Sequence, residues 1–272
     1  MPRLLAGLVV LAVALFGIAA PSGVAAAEPS RLAPGETASP NPNPAPPPAA
    51  TPSVTSGSID GVDVSYHQGT IDWQQVAGAG KRFAFVRATA GTLTADVAYA
   101  ANRTGAAAAG LVVGSYHFAN PDSKPNDAAN EASWFLRNAT VASGDLVPVL
   151  DLEVSNGLDA DSLTAWARTW LMQVTAATGV RPIIYTTPNF WSGSMADTDW
   201  FARNGYSVLW IANWTSGPQP RVPAGSWFGT GWAGAGWTFW QYSSTASVPG
   251  IAAAVDLDRF NGSVLPSSLL VP

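Results

Sequence analysis

Residues Leu146-Val147-Pro148-Val149-Leu150 run without a polar break into Asp151-Leu152-Glu153. A short, continuous apolar run bounded by turn residues reads as a strand covered on both faces, which few folds provide. Side chains alternate along a strand, so Asp151 and Glu153 point to one side and Leu152 to the other. Two acids this close at the mouth of an apolar strand repel each other and lose solvent. Both effects raise one pKa and keep that acid protonated near neutral pH.

The surrounding sequence alternates strand-like and helix-like segments. Strands are predicted at 58–65, 82–89, 111–118, 146–153 and 181–186. Helices are predicted at 71–79, 95–109 (closed by Gly110), 126–141 and 161–178 (stopped at Gly179), with a short one after Pro188. In the 161–178 helix, Leu163, Trp166, Trp170, Leu171 and Val174 fall on one apolar face. The pattern then changes. Segments 208–212, 237–242 and 252–257 read as strands joined by Gly- and Pro-rich loops without full helices. Repeated strand–helix units predict a parallel sheet with right-handed crossovers. About eight strands and five helices suggest an α/β chain closed into a flattened, TIM-like barrel.

That domain spans residues 59–272, long enough to bury a sizeable core. Residues 1–27 read as a secretory signal peptide: Arg3, then an apolar stretch from Leu4 to Ala20, then small residues at Ala25-Ala26-Ala27. Residues 28–58 are rich in Pro, Ala and Ser and hold almost no large apolar side chains, so a disordered or extended linker is expected. The chain is therefore expected to be secreted and extracellular, with no stable membrane insertion after cleavage, and to act as a monomer. With no cysteine in the chain, stability must come from packing, and thiol nucleophiles and thiolate metal sites are excluded. A formal net charge of -5 disfavours nucleic acid as a partner.

In a barrel of this kind reactive groups collect at the C-terminal ends of the strands. Acidic and aromatic residues gather there: Asp63, Tyr116-His117, Asp151 and Glu153, Tyr185, Trp210, Trp240-Gln241-Tyr242 and Asp256. An acidic floor with aromatic walls suits a carbohydrate, whose C–H faces stack on rings while its hydroxyls bond to carboxylates. One neutral acid beside one anion is what glycoside hydrolysis needs. Tyr116, His117, Tyr185, Trp210, Trp240, Gln241 and Tyr242 are the candidate substrate-binding residues. For His117 a structural or substrate hydrogen bond is expected rather than proton transfer. His67 and His117 lack metal-ligand spacing, so neither a metal nor another cofactor is expected. Residues 229–234 match a dinucleotide fingerprint by letter, but without the flanking strand and helix they read as a loop.

These segments together resemble the glycoside hydrolase family 25 lysozymes, the Chalaropsis-type N-acetylmuramidases. The resemblance rests on Gly61-Val62-Asp63-Val64-Ser65 with Gln68, Gly114-Ser115-Tyr116-His117-Phe118, and Asp151-Leu152-Glu153. Trp210-Ile211-Ala212, Trp240-Gln241-Tyr242 and Val255-Asp256-Leu257-Asp258 complete it, in family order across residues 59–272. It implies cleavage of the β-1,4 bond between N-acetylmuramic acid and N-acetylglucosamine in bacterial cell-wall peptidoglycan. It also implies the catalytic roles. Glu153 matches the general acid, and Asp151 the carboxylate that steers the substrate's own acetamido group. Asp63 and Asp256 match the two other acids around the cleavage point, one of which a rival account makes a base or nucleophile. One position departs from the pattern: the last motif often reads Asp-x-Asn, and Asp258 stands where the Asn would be. A non-catalytic peptidoglycan-binding module on the same barrel, or a different polysaccharide hydrolase or deacetylase, are the alternative readings.

Overall fold

The structure, a computed structural model, describes residues 57–222 and 236–272. The leader, nearly all of the linker and the 229–234 segment lie outside the described residues. In chain order the first half holds β1 (Ile59–Val64), α1 (Trp73–Gly78), β2 (Phe83–Ala90), β3 (Thr94–Ala95), α2 (Tyr99–Ala108), β4 (Val112–Phe118), α3 (Asp127–Asn138) and β5 (Leu146–Asp151). There follow α4 (Ala160–Thr178), β6 (Ile183–Thr186), α5 (Pro188–Ser194), α6 (Trp200–Arg203), β7 (Leu209–Ala212), β8 (Phe239–Val248) and β9 (Ile251–Phe260).

The strands lie in the order β1-β9-β8-β7-β6-β5-β4-β2, and a β1–β2 pairing closes them into an eight-stranded barrel. Strand β3 is extra, a two-residue hairpin arm on the end of β2. All eight predicted strands are present, and the fold is an α/β barrel. Two features differ from expectation. The short helix α6 precedes β7, and β9 runs antiparallel to both β8 and β1. The reason for the second is local: only Pro249-Gly250 separate β8 from β9, and a connection that short can only make a hairpin. Gly250 turns at φ +94, and a Cβ there would sit 2.3 Å from the Asp72 carbonyl oxygen.

Alternation divides the apolar residues into two cores. Inside the barrel are Phe83, Phe85, Val147, Val149, Ile183, Trp210, Phe239 and Phe260, all buried. Phe85 and Phe239 meet edge-on at 5.2 Å, and Phe239 and Phe260 lie 5.3 Å apart. Gly61 makes room for this plug, since a Cβ there would be 2.5 Å from the Phe83 ring. Between barrel and helices sit Val62, Val64, Leu150, Leu152, Ile184, Ile211 and Trp240 with the α4 face Leu163, Trp166, Trp170, Leu171 and Val174. Every residue of β5 is buried, as its unbroken apolar run requires. Val147, Val149 and Asp151 therefore share the inner side, while Leu150 and Leu152 face the helices. The aromatic plug fills the barrel's lower half, so the inward residues at the strands' C-terminal ends form the floor of a hollow.

Candidate active site

That hollow is about 290 Å³. Asp63 enters it from β1, Arg87 from β2, Tyr116 from β4, Asp151 from the end of β5, and Glu153 from two residues beyond. Tyr185 comes from β6, Trp210 from β7, Gln241 from β8 and Asp256 from β9. The backbone N–H of Leu152 donates to the Tyr185 carbonyl at 2.9 Å, which carries the strand geometry past Asp151 and brings Glu153 round to the same side.

Gln241 is oriented by its neighbours. Its Oε1 accepts from Tyr185 Oη at 3.1 Å and from Trp214 Nε1 at 3.2 Å, so its Nε2 must face Asp63, donating to Oδ2 at 2.8 Å. Arg87 brings a positive charge into an otherwise acidic hollow. Its Nε donates to Asp96 Oδ2 at 3.0 Å, and its guanidinium lies 5.1 Å from the centre of the Tyr66 ring. Asp96 follows β3 directly and also accepts from the backbone N–H groups of Tyr66 and Ala98, so the hairpin arm serves to hold the arginine. Trp210 lies on the floor, stacked on Phe85 at 4.3 Å, with its Nε1 donating to Asp258 Oδ1 at 2.8 Å.

Burial dominates the electrostatics. Desolvation, opposed by the hydrogen bond from Gln241, pushes the Asp63 carboxyl up to about 6. Desolvation, with the Asp63 charge, pushes Glu153 up to about 7. Asp151 is raised well above the usual range by desolvation and then by Glu153 and Asp63, with Arg87 pulling the other way. Asp256 is raised by desolvation and by the charges of Asp63 and Glu153. So many carboxyls in one low-dielectric hollow cannot all ionise together. The hollow therefore retains protons on some of these carboxyls near neutral pH. Among the described residues no group of three or more His, Cys, Asp or Glu side chains is arranged to hold a metal ion.

The profile of the glycosyl hydrolases family 25 matches residues 62–251. The chain belongs to that family. Lysozyme M1 of Streptomyces globisporus is 37% identical over 221 residues, 78% of this chain and 70% of that protein. The N,O-diacetylmuramidase of Arthroderma benhamiae is 32% identical, over 79% of this chain and 87% of its own. Among solved structures, the bacterial lysozyme of Streptomyces coelicolor superposes with a TM-score of 0.70 at 34% identity, covering 79% of this chain and 98% of that one. A family 25 lysozyme from Aspergillus fumigatus gives 0.65 at 29% identity, covering 75% and 94%. This family 25 chain is a glycoside hydrolase.

Of the residues singled out from sequence, the structure brings Asp63, Asp151, Glu153, Asp256, Tyr116, Tyr185, Trp210 and Gln241 to one hollow of the family 25 barrel. It does not bring His117, Trp240 or Tyr242 there. His117 is fully buried on the outer side of β4, its Nδ1 2.7 Å from Thr89 Oγ1 and its Nε2 2.8 Å from Glu131 Oε2, with Trp170 stacked at 5.4 Å. Of the uses expected for it, it takes the structural one. Trp240 is fully buried among the helix-facing residues and donates to the Asn213 carbonyl at 2.8 Å. Tyr242 packs outside the hollow beneath the Arg259 guanidinium, 4.9 Å away. Alternation is the physical reason: where Tyr116 and Gln241 point inward, His117 and Trp240 must point outward. Trp210 is only 1% exposed, so it serves as floor rather than as an open stacking platform. Arg87 and Trp214 are site residues absent from the sequence reading. The inward phase of Phe83 and Phe85 continues to Arg87, and a charged residue at an inward place on an apolar strand is the signal that would have found it.

The raised carboxyls make stability depend on pH with a definite sign. Unfolded, these groups ionise near 4; folded, Asp63 ionises near 6 and Glu153 near 7. Between those values the folded chain binds more protons, so stability falls as pH rises from about 4 to about 7. The penalty is absent below the unfolded pKa and complete above the folded one. Glu153→Gln should therefore raise the melting temperature at pH 7.5 and leave it unchanged at pH 4. Each pKa unit is worth about 1.4 kcal/mol, but Glu153 is partly exposed and shares protons with its neighbours. A net gain on the order of 1 kcal/mol, about 2–4 °C, is expected in thermal melts. An equal change at both pH values would mean that Glu153 titrates normally.

Proposed function

We propose that this glycoside hydrolase is a secreted muramidase that cuts the β-1,4 bond between N-acetylmuramic acid and N-acetylglucosamine in bacterial peptidoglycan. The observation that carries the reading is Glu153, an acid lifted to about 7, in a hollow where three further carboxyls and an arginine converge. The size of the hollow, near the roughly 300 Å³ lower bound of ligand pockets, suits about one sugar ring. In this mechanism Glu153 protonates the glycosidic oxygen as the bond to the anomeric carbon breaks. Asp151 orients the acetamido group of the muramic acid residue, whose carbonyl oxygen attacks that carbon from the opposite side. Asp63 supplies negative charge as the ring becomes cationic, and Asp256 completes the acidic rim. Once the leaving sugar has gone, Glu153 takes a proton from water as the water opens the intermediate, which returns the enzyme to its starting state. The lysozyme and muramidase names of the relatives support the wall as substrate.

Borohydride reduction of digested walls tests the bond that is cut. Reduced muramic acid in the hydrolysate is the expected product, and reduced glucosamine would replace this reading by a glucosaminidase. Export belongs to the proposal through residues 1–27. Sequencing the N-terminus of protein recovered from culture medium should return Glu28 first.

A further inference from the structure

Strand β2 breaks its own alternation just where it reaches the hollow. Phe83, Phe85 and Arg87 point inward, while Ala84, Val86 and Ala88 face the helices. Strict alternation would send Thr89 inward beside Arg87. It does not go there. The pairing with β4 slips between Arg87, opposite Tyr116, and Thr89, opposite His117, which leaves Ala88 as the extra residue of a bulge. Thr89 is thereby turned outward, its Oγ1 2.7 Å from His117 Nδ1, and Arg87 is the one β2 residue that lines the hollow. Two clamps hold the bulge. On one side the Asp96 backbone N–H donates to the Ala88 carbonyl at 2.9 Å, and the Asp96 carboxylate accepts from Arg87 Nε at 3.0 Å. On the other, His117 joins Thr89 to Glu131 of α3. Glu131 Oε2 lies 2.8 Å from His117 Nε2 and also accepts from the Asn120 N–H at 3.1 Å. A carboxylate can only accept, so the ring gives it the Nε2–H and presents Nδ1 to the Thr89 hydroxyl. All three side chains are buried. Filling space needs none of this polarity, because apolar side chains of the same volume would avoid the cost of burying it. What a fully bonded polar chain adds is a single fixed arrangement.

We propose that Glu131, His117 and Thr89 form a positioning chain that locks the β2 bulge and so aims the Arg87 guanidinium into the hollow. None of the three lines the hollow, so they act through Arg87 and not on the substrate. A bulge that relaxed into regular pairing would exchange inward and outward places on one side of it. Either Thr89 would enter the hollow or Arg87 would leave it. Among the described residues Arg87 is the one Lys or Arg that lines the hollow, and its charge opposes the effect of burial on Asp151. The chain therefore holds in place the cation beside the carboxyl that orients the substrate's acetamido group.

The proposal rests on the muramidase reading for its effect on rate, so one measurement follows Arg87 itself. In NMR spectra of the protein, the arginine Nε–H signal missing from Arg87→Gln is that of Arg87. Buried and bonded to Asp96, that proton should exchange slowly with solvent in the parent. Thr89→Val removes the hydroxyl at nearly constant volume, and Thr89→Ala removes it without setting a methyl group against the ring. Either should speed the exchange by about tenfold, while Thr89→Ser, which keeps the hydroxyl, should stay within about threefold of the parent. Failure of one hydroxyl-free variant to fold leaves the other to decide. On purified walls those variants should lower kcat/KM by about tenfold in the parent background. In the Arg87→Gln background they should lower it by less than about twofold, because the chain has then lost the group it aims. The proposal is overturned if the exchange is unchanged without the hydroxyl, if Thr89→Ser loosens it as much, or if the rate loss is equal with and without Arg87. Failure of the parent to cut walls would remove the muramidase reading and leave the exchange result standing.

Discussion

Glu153→Gln should lower wall lysis by at least two to three orders of magnitude while leaving the fold in place. The glutamine has nearly the same shape, and the site around residue 153 is held by β5, β6 and the Leu152–Tyr185 hydrogen bond rather than by the carboxyl. What is lost is the proton. An alkoxide-like leaving group that departs without protonation forfeits the general-acid contribution, typically ~10²- to 10⁴-fold. Glu153 is suited to this task because burial and the nearby Asp63 charge raise it to about 7, where a carboxylic acid is still mostly protonated at mildly acidic pH yet acidic enough to give the proton up. Binding of a non-hydrolysed wall fragment should change by less than about threefold, since the amide keeps an acceptor and adds a donor. Turbidity loss of wall suspensions measures the rate, and circular dichroism the fold. Activity within tenfold of the parent would take the acid role away from Glu153.

The distribution of what could be read from the sequence follows from one geometric fact. Apolar runs and helix stops report where a strand or helix is, so the eight barrel strands, the α4 face and its Gly179 stop were all legible. Alternation also placed Asp151 and Glu153 on one side, with Leu152 opposite. The same rule, applied to every strand, would have separated Tyr116 from His117 and Gln241 from Trp240 and Tyr242. Those residues were grouped by their nearness to strand ends, and nearness along the chain does not carry direction. Arg87 escaped because the second strand shows no acid or aromatic cluster at its end; its function depends on Asp96, which follows a two-residue strand too short to leave a pattern. The proton balance was the least legible part. Two adjacent acids on one strand predict a single raised carboxyl, but the folded chain adds Asp63, Asp256 and Asp258 from strands nearly two hundred positions apart and raises all five. Desolvation by a closed barrel belongs to the fold and not to any local stretch.

Asp63→Asn should be nearly as damaging as loss of the acid, for an electrostatic reason. The transition state of glycoside cleavage carries positive charge on the ring, and the hollow offers several carboxyls but few that are ionised. Asp63 is the one set up to be the anion: it accepts a hydrogen bond from Gln241 at 2.8 Å, which lowers its pKa against the rise caused by burial. At roughly 5 Å and an effective dielectric of about 20, one unit charge on another is worth about 3 kcal/mol. That corresponds to a rate loss on the order of 10²-fold when the charge is removed. The pH profile gives a sharper test than the rate alone. With Asp63 ionising near 6 and Glu153 near 7, the parent should show a narrow bell with its maximum between those values. In Asp63→Asn the acid limb should disappear, because its titrating group is gone. The alkaline limb should move downward, since Glu153 is no longer raised by a neighbouring negative charge. A variant that kept both limbs where they were, or lost less than fivefold in rate, would show that the anion of this site is another of the four carboxyls. Asp256, which lies against Asp63 in the β1–β9 ladder, would then be the first to examine.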